Sequence, residues 1–112
     1  MEAKEIRLGN YLNHNGFVPT IVDAIDIIHC KQYPEVYNPI ELTEEWLLKF
    51  GFTHEVIAYY YFEKIYKKGS FTLSESFVLL DIDLNVKVDY VHQLQNLYYA
   101  LIGEELKLQI PE

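Results

Sequence analysis

Arginine and cysteine each occur once in this 112-residue chain, as Arg7 and Cys30, and there are only five glycines. A single arginine leaves almost no material for the planar forks that read phosphates or guanine edges in pairs of hydrogen bonds. A single cysteine excludes an intramolecular disulfide and a cysteine-based zinc cluster. So few glycines supply backbone phosphate cradles poorly, and neither a P-loop nor G-x-G-x-x-G occurs. No apolar run approaches the roughly 20 residues that cross a bilayer. The opening MEAKEIRLGN has no apolar signal core, so the expected location is the cytoplasm of the producing cell, with no membrane partner.

Positive charge is scarce as well. Nine basic side chains face seventeen acidic ones, for a net charge of −8. Such a chain repels phosphate backbones, so direct binding of duplex DNA is not expected. Acidic balance favours solubility or a basic protein partner.

What is abundant is apolar and aromatic. Half the residues are hydrophobic, with ten tyrosines and six phenylalanines. That composition excludes disorder and allows one domain, residues 1–112, with a real core. Tyr and Phe favour strands, and Tyr also favours contact surfaces.

Local patterns divide the chain. Asn15-Gly16 predicts a type I′ hairpin turn, because both positions need positive φ. Pro19 places the second strand at an edge or beside a bulge. Asp23 interrupts the apolar series, and Ala24 to Cys30 is expected to be a further strand or the same strand after a bend. KQYPEVYNPIE is a connector, with Pro34 and Pro39 favouring extended structure before them. Thr43 caps a short helix, with Glu44 and Glu45 in its first turn and Gly51 as its stop. Trp46, Leu47 and Phe50 form its apolar side. Lys67-Lys68-Gly69-Ser70 reads as a turn between strands. Val78, Leu80, Ile82, Leu84, Val86, Val88 and Tyr90 keep period two, predicting an inward face, with Asp81, Asp83, Asn85, Lys87 and Asp89 in water. A final helix runs from about Tyr90 to Ile102 and ends at Gly103. LKLQI is expected to form a short last strand. The expected architecture is α+β: a curled antiparallel sheet or partial barrel, a short middle helix, and a C-terminal amphipathic helix packed on the sheet.

On that last helix, Val91, Leu94, Leu97, Tyr98 and Leu101 share one side, while His92, Gln95, Asn96 and Tyr99 share the other. The expectation is an apolar face on the sheet and a polar face in water. Tyr99 and its neighbours then offer themselves to a partner.

Chemistry-bearing constellations are sparse. Asp81-x-Asp83-x-Asn85 has the alternate oxygens of a calcium loop, but Val86 replaces its sixth-position glycine and His92 its twelfth-position glutamate. His14, His29, His54 and His92 include no i, i+4 pair, and His14 falls in the predicted turn, where it is expected in solvent. Ser70, Ser74 and Ser76 lack a nucleophile motif, and Cys30 is expected to be buried and inert. Tyr59-Tyr60-Tyr61-Phe62 followed by Lys64, Lys67 and Lys68 is the feature closest to a single-strand nucleic-acid binder, with aromatics for stacking and lysines for the backbone. In a strand, however, alternate members face opposite sides. No catalytic set, metal site or cofactor site is encoded in a readable form.

Three segments carry a resemblance: Arg7 to Asn10 (R-x-G-N), Pro39 to Phe52 (P-I-x-L-T-E-E-x-L-L-x-x-G-F), and His92 to Leu106 (H-Q-L-Q-N-L-Y-x-A-L-x-G-E-E-L). Together they resemble a family of small bacterial phage and mobile-element proteins. The resemblance implies no activity, cofactor or catalytic residue. It does imply a mobile-element setting in a bacterial host cell, where small acidic proteins often act by binding, including as anti-CRISPR-like inhibitors of host nucleases. The expectation is a non-enzymatic protein-binding module with a basic partner. Its candidate contacts are Asp81, Asp83, Asp89, His92, Gln95, Asn96 and Tyr99. A self-associating structural or accessory phage protein is the alternative, beside the nucleic-acid strand above.

Overall fold

The computed structural model describes residues 6–14, 18–58, 62–80 and 86–108. Strands β1 (Tyr11–His14) and β2 (Val18–Ile21) form the expected antiparallel hairpin. His14 pairs with Val18, so residues 15–17 connect them, and these lie outside the described residues. Sheet order is β2-β1-β3, with β3 at Tyr37–Pro39, which leaves Pro19 on an edge strand as its missing N–H requires.

Between β2 and β3 the expected strand is a helix. Helix α1 spans Ala24–Gln32. Its cause is Asp23, which stops the apolar series because it is an N-cap. The Asp23 carboxylate accepts the Asp26 N–H at 2.8 Å, and the Asp26 carboxylate accepts the Asp23 N–H at 3.0 Å. This reciprocal capping box satisfies two donors of the first turn. A short 3-10 turn, Pro34–Val36, then leads into β3.

Helix α2 (Glu44–Lys49) begins at Thr43, whose hydroxyl accepts the Trp46 N–H. It ends in a Schellman motif. Gly51 takes φ 90°, its N–H bonds the Leu48 carbonyl, and the Phe52 N–H bonds the Leu47 carbonyl, each at 3.0 Å. A second antiparallel sheet follows, ordered β4 (Thr53–Ala58), β5 (Phe62–Lys68), β6 (Phe71–Leu73). Lys68 pairs with Phe71 across the Gly69-Ser70 turn, as the sequence predicts. Residues 59–61 lie outside the described part, so the aromatic run is seen only from Phe62 onward.

The period-two segment is not one straight strand. Val78 bridges Lys87 antiparallel, and Leu73 bridges Leu79. Leu79 is buried and Leu80 half exposed, the reverse of the expected phase. Just before this segment Phe77 takes φ 62°, and within it the chain folds back so that Val78 meets Lys87. From Val86 the phase is as expected, with Val88 buried and Asp89 exposed. Helix α3 (Val91–Ile102) closes with Gly103 at φ 84°. Residues 104–108 form no strand, although Leu106 is buried; 109–112 lie outside the described residues.

The fold is therefore α+β, but built on two small sheets rather than one curled sheet. The main core gathers Leu47 of α2 and its C-cap Phe50, Phe52, Tyr66, Phe71, Leu73, Leu79 and Val88 of the second sheet region, and Val91, Leu94 and Tyr98 of α3. Each such side chain contributes about 1.5–3 kcal/mol on burial. A smaller core under α1 holds Ile6, Leu12, Val22, Cys30 and Tyr37. Leu101, expected to be inside, is half exposed.

Candidate interaction surface

The polar stripe of α3 faces water only in part, with Tyr99 exposed and Asn96 half-buried. Gln95 is 1% exposed and His92 is also buried. What covers Gln95 and Asn96 is the loop Arg7–Asn10. The Gln95 side-chain oxygen accepts the Tyr11 N–H at 2.8 Å and the Asn10 amide at 3.4 Å, while its amide donates to the Gly9 carbonyl at 2.9 Å. Asn96 accepts from the Asn10 amide at 2.9 Å and from the Arg7 Nε at 2.8 Å. The rest of the Arg7 guanidinium reaches Glu105 at 2.6 and 3.4 Å and the Gln95 carbonyl at 3.3 Å. Its carbon sits 4.5 Å from the Tyr99 ring centre. A loop presents unpaired backbone groups, so the helix face that packs on it must be polar.

The loop is itself shaped to meet this face. The Asn10 carboxamide oxygen accepts the Arg7 N–H at 2.6 Å, and Gly9 takes φ 86°. The Gly9 N–H and the Asn10 carbonyl then bond Val22 at 2.9 and 2.8 Å. The R-x-G-N and H-Q-L-Q-N segments are thus two halves of one interlock. Gln95 belongs to it wholly, and Tyr99 serves as the platform beneath Arg7.

The other candidates lie around the start of α3. A groove of about 490 Å³ is lined by Val86, Lys87, Val88, His92, Gln93, Asn96 and Leu97. A second, of about 300 Å³, is lined by Glu41, Leu42, Phe77, Lys87, Asp89 and Tyr90. Lys87 stands in both, 3.4 Å from the Asp89 carboxylate and over the Phe77 ring. The walls are pinned by backbone. The Leu42 N–H bonds the Asp89 carbonyl at 2.9 Å, the Val91 N–H bonds the Ile40 carbonyl at 2.8 Å, and the Gln93 side chain caps α3 through the Asp89 and Tyr90 N–H groups. The structure therefore brings Asp89, His92 and Asn96 to one surface. Asp81 and Asp83 lie outside the described residues.

The lysines of the nucleic-acid reading are partly committed elsewhere. Lys64 pairs with Glu44 at 3.2 Å, and Lys68 donates to the Phe50 carbonyl at 2.9 Å. Ser74 is likewise structural, its hydroxyl accepting the Val78 N–H at 3.1 Å.

A second constellation was not anticipated. His14, expected in solvent, is half-buried and stacks on Tyr37, 4.7 Å between centres at an interplanar angle of 1°. Cross-strand pairing of His14 with Tyr37 puts them there. Asp26 and His29, at i, i+3 on α1, reach the same phenol. The Tyr37 hydroxyl donates to Asp26 at 3.0 Å and lies 2.9 Å from His29 Nδ1. Because that hydroxyl proton points to Asp26, His29 must donate from Nδ1. Burial, the hydrogen bond to Asp26 and the nearby negative charges push the Tyr37 hydroxyl up to about 12. Burial also raises the Asp26 carboxyl. The opposing Asp23 N–H, Tyr37 hydroxyl and His14 outweigh it and hold Asp26 below its ordinary value. The Asp23 to Asp26 capping spacing was the signal that would have placed Asp26 and His29 on one helix face. Among the described residues no three His, Cys, Asp or Glu gather to hold a metal ion.

Comparison of the chain with protein-family models, with curated proteins and with solved structures found no match. Among the described residues no helix is long and apolar enough to cross a membrane.

Proposed function

We propose that this protein is a non-enzymatic binding module that engages a basic protein partner through the paired grooves beside α3. The observation that supports this reading is the surface where the grooves meet at Lys87. Its walls are tied by backbone hydrogen bonds and are partly apolar, at Val86 and Leu97, and the acidic side chains Glu41 and Asp89 line one half. In a chain of net charge −8, such a surface attracts a cationic segment, and its apolar half receives that segment's side-chain stem. The resemblance of the R-x-G-N and H-Q-L-Q-N-L-Y segments to phage and mobile-element proteins suggests a setting, the cytoplasm of a bacterial host. There an anti-CRISPR-like inhibitor of a host nuclease fits the acidic surface. No cofactor and no catalysis enter this reading.

Affinity capture from bacterial lysate with the wild-type chain and with Glu41→Lys plus Asp89→Lys is the test. The expected result is a partner with a basic surface, retained by the wild type and lost with the variant while circular dichroism stays unchanged. Equal recovery by both chains would refute the assignment of the surface.

A further inference from the structure

In an acidic groove, one cation is already seated, and it belongs to the chain itself. On the extended run into α3, Lys87 and Asp89 are two residues apart and share the exposed side, with Val88 buried between them. The Val88 N–H bonds the Phe77 carbonyl at 2.9 Å, which sets Phe77 beside Lys87. Glu41 bridges Tyr90, which brings Glu41 to the same groove. The Lys87 ammonium lies 3.4 Å from the Asp89 carboxylate and 5.8 Å from the centre of the Phe77 ring. Glu41 is in no ion pair among the described residues, so the groove sets two carboxylates against one ammonium. That ammonium is loosely held: the Lys87 and Asp89 side chains are both more than half exposed, and a pair so exposed exchanges readily.

We propose that Lys87 is a stand-in for an arginine of the partner, which takes the seat between Asp89 and Phe77 as Lys87 swings out into water. This rests on the reading of the grooves as the partner contact and names the side chain they receive. A guanidinium makes both of the ammonium's contacts better. Its planar fork gives a carboxylate two parallel N–H bonds, and its flat face stacks on an aromatic ring. Glu41 supplies the second carboxylate on the same groove. Among the described residues, Lys87 alone lines both grooves, so it divides them. With Lys87 turned out, the two become one trough, and the apolar stem of the arginine lies towards Val86 and Leu97. Lys49 is a natural comparison. It pairs with Glu45 at 3.2 Å and lies 5.6 Å from the Trp46 ring centre, yet it lines neither groove.

Fluorescence anisotropy of a dye-labelled hexa-arginine peptide, titrated with the full chain at low salt, tests it. Lys87→Met keeps an unbranched stem but empties the seat. It should bind the peptide at least about threefold more tightly than Lys49→Met, which removes the same charge elsewhere. Lys87→Arg keeps the net charge and fills the seat with the better-fitting group, so it should bind at least about twofold more weakly than the wild type. Lys87 is exposed, so circular dichroism should be the same in all these chains. The reading of the grooves is checked in the same titration by Glu41→Lys plus Asp89→Lys, which should abolish binding. If that variant binds as the wild type does, or if no chain binds the peptide, the groove reading falls and this inference with it. If it fails to bind, but Lys87→Met gains no more than Lys49→Met or Lys87→Arg binds as well as the wild type, the grooves stand and the stand-in role of Lys87 is overturned.

Discussion

Replacing Gln95 by Ala tests the interlock between the N-terminal loop and α3. Gln95 makes three hydrogen bonds to residues 9–11. Truncation leaves the Tyr11 N–H and the Gly9 carbonyl without their partners. An unmet buried polar group costs about 1–3 kcal/mol. Tyr11 is only half-buried, so water repairs part of that loss. The space vacated by a side chain that is 1% exposed adds to it. The expected sum is about 3–5 kcal/mol, a large share of the roughly 5–15 kcal/mol that holds a small domain. Urea denaturation followed by circular dichroism and by Trp46 fluorescence is the assay. Gln95→Glu sharpens it. The shape is kept and the Tyr11 N–H still has an acceptor, but a carboxylate cannot donate to the Gly9 carbonyl. That variant should be unstable at neutral pH and partly recover in acid, as the carboxyl protonates. A solvent-facing glutamine would cost no more than about 0.5 kcal/mol either way. A Gln95→Ala loss that small would refute the buried interlock.

Further outcomes follow from the same geometry. Leu94→Ala should cost about 2–5 kcal/mol, whereas Leu101→Ala, half exposed, should cost less than about 1 kcal/mol in the same urea melts. Tyr37 keeps its proton when folded up to about pH 12, whereas its ordinary value is 10.0, so the stability it contributes is complete below pH 10 and is lost as pH rises from there through 12. Denaturation at graded alkaline pH should show that loss shrink in Tyr37→Phe. Asp26 is lowered in the fold, so its contribution is present above the ordinary carboxyl value of 3.8 and disappears as pH falls through the lowered one. Asp26→Asn should remove that part of the acid limb.

Features with local causes were legible in the sequence. Thr43 and Gly51 bracket α2, Gly103 stops α3, Gly69-Ser70 turns between β5 and β6, and Pro19 sits on an edge. Each is set by the conformational preference of one or two residues. Helix α1 was misread because its apolar residues surround the helix and include three isoleucines, which resemble a strand. Its capping box uses Asp at the third position, where Glu or Gln is the usual signal. The phase of Leu79 and Leu80 was misread because period two was read through one continuous segment, whereas the chain folds back within it and bridges Val78 to Lys87.

The α3 stripe failed for a different reason, and that reason bears on how the site is to be read. A helical wheel gives the phase of a face, not the element that covers it. Gln95 and Asn96 meet partners 84–89 positions away in sequence, so no local window contains the pair. Yet the long motif His92 to Leu106 is explained in part by this contact, since Gln95, Asn96, Tyr99 and Glu105 all bind or support the Arg7 to Asn10 segment. Gln95 is occupied within the fold, whereas Asn96 also lines a groove and Tyr99 and Glu105 stay exposed. On the proposed reading, a partner meets the grooves that Asp89, His92, Asn96 and Leu97 line. A substitution in the interlock should therefore lower stability and partner binding together. One at Glu41 or Asp89 should lower partner binding alone. Comparing the two groups of variants separates what holds this chain together from what it does.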